Sequence, residues 1–154
     1  MLLVVLIIQL ISAMVIFNVS SDCDQQQLSS AAQQIIGAVR YARALAMSTG
    51  QPCGVQFDTA SDTVTCYDTS AYTPANSGLF ASGKYIINFP QTSNSAGVVI
   101  SAVQNAGAGP AYDCMFAPLG NLADAPTDSL PVYVQLNCHG YTKTVTIPAL
   151  GDPY

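Results

Sequence analysis

The side chains of this 154-residue chain that are best suited to chemistry are five cysteines and a single histidine. They are Cys23, Cys53, Cys66, Cys114, Cys138 and His139. The cysteines form no CxxC pair and no Cys/His group at the usual spacing of zinc ligands, so their pattern favours disulfide bonds. Disulfide bonds indicate an oxidising compartment, and an odd number of cysteines leaves one of them over.

Two disulfides are predicted from the strand patterns. The segment CGVQFDTASDTVTCY predicts a hairpin in which Phe57 faces Asp62 across a four-residue loop, and this register places Cys53 opposite Cys66. Cys114 is predicted to pair with Cys138, because the alternation of side chains along their strands places both cysteines on the core face. Each bridge is worth about 3 kcal/mol in the chain-entropy model. Five cysteines also allow other pairings, which the sequence leaves open.

Cys23 is the cysteine left over by these pairings. It lies near the start of a polar stretch that follows the apolar N-terminal segment. Two roles remain open for it: an intersubunit disulfide or other covalent attachment, or a free thiol buried between packed helices.

The remaining candidates for chemistry give no catalytic pattern. His139 precedes Gly140 in a predicted turn, and no Asp, Glu or Ser stands near it in the order of a catalytic triad, so it is predicted to be a solvated turn histidine and the chain not to be an enzyme. Asp124 and Asp128 are weak candidates for calcium binding together with loop carbonyls, although their spacing matches no EF-hand. No other metal and no cofactor is predicted.

Composition excludes some classes of partner. Only 8% of the residues are charged, and the formal net charge is −5. The four cations, Arg40, Arg43, Lys84 and Lys143, are scattered along the chain. Nucleic acid and anionic membrane surfaces need clustered cations, so neither is expected to be the main partner.

The first half of the chain predicts one long helix. Residues 1–17 are almost entirely apolar, and they are followed by a stripe with helical spacing at Leu28, Ala32, Ile35, Ile36, Val39, Ala42 and Ala46. Gly50 and Pro52 then end the helical pattern. A helix from Met1 to Thr49 is roughly 70 Å long at about 1.5 Å per residue.

The second half predicts only antiparallel strands. Beyond the first hairpin, strands are predicted at 84–89, 97–103, 113–116, 132–138 and 142–147, and a His139-Gly140 turn pairs Val134 with Val145. The fold class is therefore α+β, with the amphipathic half of the helix packed on one face of a sheet. Residues 1–21 are predicted to form an apolar membrane or filament-core helix. Residues 22–154 are predicted to form a globular domain, in which 22–49 are helical and 50–154 form the sheet and its loops.

Residues 1–17 can be compared with three kinds of segment: a signal peptide, a membrane anchor and an assembly helix. A secretory signal peptide has a basic start and a small-residue cleavage site, and both are missing here. Seventeen apolar residues come close to the length of a membrane anchor. An assembly helix also explains why an amphipathic helix continues without a break. The residues assigned to this core helix are Met1, Leu2, Leu3, Val4, Val5, Leu6, Ile7, Ile8, Leu10, Ile11, Met14, Val15, Ile16 and Phe17.

These segments resemble a known family. MLLVVLII and the residues after it resemble the N-terminal segment of type IV pilins and type II secretion pseudopilins. The segment LSSAAQQIIGAVRYARALAMSTGQPCGVQFD is similar to the minor pseudopilin H and FimT-like group, as are FAPLGNL and VYVQLNCHGYTKTVTIPALG. The family's early glutamate and its processing site are not found, and Phe17 stands where a proline is usual.

The resemblance implies a pilin-like fold and a non-enzymatic role. It implies a structural subunit of an extracellular type IV pilus-like or type II secretion pseudopilus-like filament at the cell surface. The implied partners are copies of itself or other pilins, the inner membrane before assembly, and assembly platform proteins. Arg40 and Arg43 are expected at the helix–sheet boundary or against a neighbouring subunit. The alternative is a membrane-anchored minor tip pilin that binds DNA or a surface, and the tail IPALGDPY lacks the arginine of DNA-binding relatives.

Overall fold

One helix spans nearly a third of the chain. The computed structural model describes residues 2–68, 73–75, 84–89, 95–104, 114–122 and 131–148. Helix α1 runs unbroken over Leu2–Thr49, as the sequence predicts. It ends at Gly50, which has a φ of 66° and donates its amide hydrogen to the carbonyl of Ala46 at 3.0 Å. Glycine adopts this left-handed conformation without steric cost, so Gly50 is a C-terminal cap.

The predicted apolar stripe is the part of α1 that faces the core. Its seven residues from Leu28 to Ala46 are all buried, together with Ala31 and Ala38. Alanine is frequent on this face, and its small side chain allows the strands to approach the helix backbone closely. The side chains on the opposite face, including Gln33, Arg40 and Ala44, are exposed.

In the described ranges, eight strands form two antiparallel sheets. The strands are β1 Cys53–Asp58, β2 Thr63–Asp68, β3 Thr73–Pro74, β4 Ile86–Asn88, β5 Val99–Gln104, β6 Cys114–Phe116, β7 Val132–Cys138 and β8 Tyr141–Ile147. The first sheet has the order β3-β2-β1-β6, and β4 also pairs with β2. The second sheet has the order β5-β7-β8. The α+β class is confirmed, whereas the expectation of a single sheet is wrong, because the strands that follow β4 pair among themselves and, except for β6, not with the first hairpin.

The two sheets cover successive parts of α1. In the first sheet, the Cys66 thiol donates to the carbonyl of Ala38 at 3.5 Å. In the second, Lys143 Nζ donates to Ser29 Oγ at 3.3 Å. These two helix positions are nine residues apart, which corresponds to about 14 Å along the axis. The second sheet therefore lies nearer to the N-terminal, projecting half of the helix.

The first hairpin has a different register from the predicted one. Phe57 lies opposite Val64 and Cys53 opposite Asp68. The turn sets this register: the Asp58 carboxylate accepts hydrogen bonds from the amide of Ala60 at 2.8 Å and from the hydroxyl of Ser61 at 2.7 Å. Because the shift is by two residues, the predicted set of buried side chains on this face is unchanged.

The last hairpin agrees with the prediction in register. Val134 lies opposite Val145, and Val132 lies opposite Ile147. His139 and Gly140 form the connecting turn, with φ values of 48° and 91°. Positive φ at both central positions is the mark of a type I′ turn, which suits the twist of a two-residue hairpin.

Candidate functional site

The N-terminal half of α1 extends beyond the sheets. Among the side chains described on α1, the first buried one is Leu28, and Asp22, Cys23, Gln25 and Gln26 before it are exposed. Nearer the start of the helix, 58% of the Val4 side chain is exposed. Burial of an exposed apolar side chain such as Val4 against another molecule is favourable.

The predicted core-helix residues therefore lie on one continuous helix. Leu2 to Phe17 all belong to α1. Met1 lies outside the described residues, and of the predicted set only the side chain of Val4 is described. Within the described part of the chain, no helix combines the length and the apolar character that a membrane span requires.

The other residues predicted to contact a neighbouring subunit lie at different depths. Cys23 is exposed in the single chain, and Arg40 is exposed on the helix face opposite the core. Arg43 is half-buried, beside the loop that follows β6: a Cβ on Gly120 would lie 3.1 Å from Arg43 Nε. Asp124 and Asp128, the calcium candidates, lie outside the described residues.

The structure has no disulfide bond between any two of the five cysteines. The register behind the Cys53–Cys66 bridge is wrong, because Val55 and not Cys53 lies opposite Cys66. Cys114 lies on the other side of Val55 in the first sheet, whereas Cys138 ends a strand of the second. The alternation of side chains along each strand correctly predicted that Cys114 and Cys138 face the core. It could not reveal that their strands belong to different sheets.

The buried thiols of the first sheet are poorly suited to reaction. Burial, followed by the proximity of Asp68, raises the pKa of the Cys53 thiol. Burial likewise raises the pKa of Cys66, with Cys53 contributing. The thiolate is the nucleophile and the metal ligand, so these cysteines act as small apolar core residues.

A second group of polar side chains meets where the β7–β8 turn touches α1. His139 Nδ1 lies 3.0 Å from Asp24 Oδ1. Cys138 Sγ lies 3.6 Å from the same ring nitrogen and 3.8 Å from the same carboxylate oxygen. His139 lies in the turn and is exposed, as predicted, but its neighbour Asp24 is 115 positions away in the chain and could not be inferred from the residues around the turn. The adjacent Cys138 and His139 were the feature of the sequence that could have indicated this group of side chains.

The turn conformation brings these neighbours together. Adjacent residues of an extended strand point to opposite faces. The left-handed φ of 48° at His139 turns its ring back toward Cys138. Gly97 forms one wall, because a Cβ there would lie 3.5 Å from the His139 ring. The result is a compact Asp24–Cys138–His139 cluster, in which Cys138 is buried and 69% of the His139 side chain is exposed.

The geometry of this cluster does not suit a nucleophile relay. A Cys-His-Asp relay uses both ring nitrogens, one toward the thiol and one toward the carboxylate. Here both contacts converge on Nδ1. Burial, together with the carboxylate of Asp24, also raises the pKa of the Cys138 thiol, which disfavours the thiolate.

Comparison with solved structures shows a pilin-like fold. Two structures of the minor pseudopilin EpsH from the type II secretion system of Vibrio cholerae match with a TM-score of 0.59 each. Both comparisons span 83% of this chain and 94% of the other, at 14% and 13% identity. Comparison with protein-family models gave no match, nor did comparison with curated sequences. At this level of identity the likeness shows the shared fold, with one long N-terminal helix on antiparallel sheets.

Proposed function

We propose that this chain is a non-enzymatic structural subunit of an extracellular filament, of the type IV pilus or type II secretion pseudopilus kind. The observation that carries the proposal is the projection of α1 beyond the sheets. The helix is continuous to Thr49, and the buried side chains described on it begin only at Leu28. Asp24 contacts His139 of the second sheet, so the 22 residues from Leu2 to Cys23, or roughly 33 Å of helix, extend from the globular part.

The physical role of the projecting helix is to form the centre of a fibre. An all-apolar helix is stable when other helices or lipid surround it. Identical subunits that each place this helix against a different patch of the next subunit build an open helical filament. The inner membrane holds the same segment before assembly, and platform proteins insert it into the fibre. The fold shared with a minor pseudopilin supports this proposal.

The positions of the cations favour a subunit over a DNA receptor. Arg43 lies near the C-terminal end of α1, next to the loop of Gly120. Lys143 contacts Ser29, which is 14 residues earlier on the helix, or about 21 Å away. A basic stripe for phosphates would need such charges side by side.

The test is whether the full chain enters fibres through its N-terminal helix. Cells that carry the assembly machinery would express the wild-type chain, Val4→Asp, or Thr59→Asp as a matched control in the exposed β1–β2 turn. Sheared surface material would be examined by negative-stain microscopy and mass spectrometry. We expect the wild type and Thr59→Asp in fibres and Val4→Asp to be excluded, because a carboxylate in an apolar fibre core is costly to desolvate.

A folding control separates assembly from stability. Val4→Asp should give the same limited-proteolysis pattern for the globular domain as the wild type, since Val4 lies far from the core that starts at Leu28. Incorporation of Val4→Asp at the wild-type level would overturn the proposal.

A further inference from the structure

We propose that Asp24, Cys138 and His139 form a binding site for one zinc ion, which ties the projecting helix to the β7–β8 turn. Sγ, Nδ1 and Oδ1 of these three side chains all lie within 4.8 Å of one another. The site is independent of the filament proposal, because it depends only on the fold of a single chain.

The distances match those of a tetrahedral zinc site. Zinc binds sulfur at about 2.3 Å and nitrogen or carboxylate oxygen at about 2.0–2.2 Å, so neighbouring ligand atoms of a tetrahedron are about 3.4–3.6 Å apart. The sulfur–nitrogen and sulfur–oxygen distances are 3.6 and 3.8 Å. The nitrogen–oxygen distance is 3.0 Å, a hydrogen bond that would open slightly when the ion enters.

A fourth ligand is available beside the cluster. Gln27 Oε1 lies 3.6 Å from Cys138 Sγ. Asp24 and Gln27 are three residues apart on α1 and therefore share one face of the helix. An amide oxygen is a weaker zinc ligand than the other three donors, and a water molecule can replace it on the open side next to His139.

The charges balance when the ion binds. In the zinc-bound site Cys138 binds as the thiolate, after loss of its thiol proton, Asp24 binds as the carboxylate, and His139 binds through Nδ1 as an imidazole that keeps its N–H on Nε2. One thiolate and one carboxylate then neutralise the two positive charges of zinc, and one proton is released to solvent. Mixed sulfur, nitrogen and oxygen donors suit zinc better than calcium or magnesium, which prefer oxygen alone.

The position of the site gives the ion a mechanical role. Asp24 lies four residues before Leu28, the first buried stripe residue, and hence where α1 leaves the sheets. Cys138 and His139 lie at the tip of the second sheet. A metal bond between them fixes the direction of the projecting helix and adds a cross-link over 114 residues of chain to the folded state.

The experiment titrates purified metal-free full chain in detergent with zinc, in competition with a chromophoric chelator, and with cobalt followed by absorption. We expect one ion per chain, release of one proton, and a sulfur-to-cobalt charge-transfer band with the intense visible bands of tetrahedral cobalt. Asp24→Asn, Cys138→Ser and His139→Ala should each weaken zinc binding by more than about tenfold. Gln27→Ala should weaken it less, because water substitutes.

Matched controls come from the same stretch of helix. Cys23→Ser and Asp22→Asn alter an exposed thiol and an exposed carboxylate next to the site, and both should bind zinc like the wild type. The melting temperature of the wild type should rise with zinc concentration, and that of Cys138→Ser should not. Equal zinc affinity in the wild type and Cys138→Ser, loss of binding in Cys23→Ser, or a cobalt spectrum without a sulfur band would overturn the site.

Discussion

The amide of Ile100 donates a hydrogen bond of 2.8 Å to Oδ1 of Asp62, and so connects the second sheet to the turn of the first hairpin. Asp62 has a φ of 53° and is one of two non-glycine residues with positive φ among the described part of the chain. Its own carbonyl accepts from the amide of Phe89 at 3.2 Å. One turn residue therefore holds the first hairpin, the segment after β4 and strand β5 together.

Substitutions of Asp62 should distinguish the stability contributed by its side-chain hydrogen bond from the effect of its left-handed backbone conformation. Asp62→Ala removes the acceptor of the Ile100 amide and adds left-handed strain, so we expect a loss of about 1–3 kcal/mol in the free energy of unfolding. Asp62→Asn keeps an acceptor oxygen and tolerates positive φ, so it should cost less than about 1 kcal/mol. Denaturant unfolding measures both, and equal losses would contradict the assigned role of the side chain.

Gly120 is expected to be sensitive to substitution for two reasons. Its φ is 80°, and an added Cβ would lie 2.9 Å from Met47 Sδ at the end of α1. Gly50 has a φ of 66° with nothing within 4 Å of an added Cβ, so Gly50→Ala measures strain alone, about 1–2 kcal/mol. Gly120→Ala should cost about 1 kcal/mol more by thermal unfolding. The Gly120→Ala/Met47→Ala pair should recover much of that difference; no excess cost for Gly120→Ala would refute the contact.

Tyr85 should make stability fall at alkaline pH. Burial, followed by the charges that Cys66 and Tyr41 can carry nearby, raises the pKa of Tyr85 from 10.0 to about 12. The rings of Tyr41 and Tyr85 stack with their centroids 4.5 Å apart. The neutral phenol is favoured in the folded state, so its contribution is complete below pH 10 and is lost as pH rises toward 12. Denaturant unfolding across this range should show a decline that Tyr85→Phe reduces. Tyr41→Phe keeps a ring in the stack, so the Tyr85 step should move down but stay above its ordinary value.

The cysteines should all be labelled as free thiols. In the native, metal-free protein, exposed Cys23 should react with a thiol reagent quickly, and buried Cys53 and Cys66 slowly, because burial raises their pKa. After denaturation without reductant, five thiols should be counted by mass spectrometry. Cys23→Ser should remove the fast phase. A count of one thiol would restore the two disulfides that the sequence favours.

Much of the fold follows from local sequence. The Leu28-to-Ala46 stripe, the stop at Gly50 and the β7–β8 register around His139-Gly140 all rest on signals within a few residues of one another. Helical periodicity, a C-terminal glycine and a two-residue turn each have one favoured geometry, so these predictions agree with the structure.

Features that depend on distant residues required the tertiary structure. The register of the first hairpin depends on hydrogen bonds to Asp58 and on contacts of Asp62 with Phe89 and Ile100, none of which the alternation of apolar residues encodes. The division into two sheets separated Cys114 from Cys138, and the packing of the last hairpin on α1 brought Asp24 to His139. The sequence by itself determined the helix, most strands and their buried faces, because those follow from local periodicity. Only the tertiary structure decided which side chains meet across about 115 positions, because packing, and not local preference, selects such contacts.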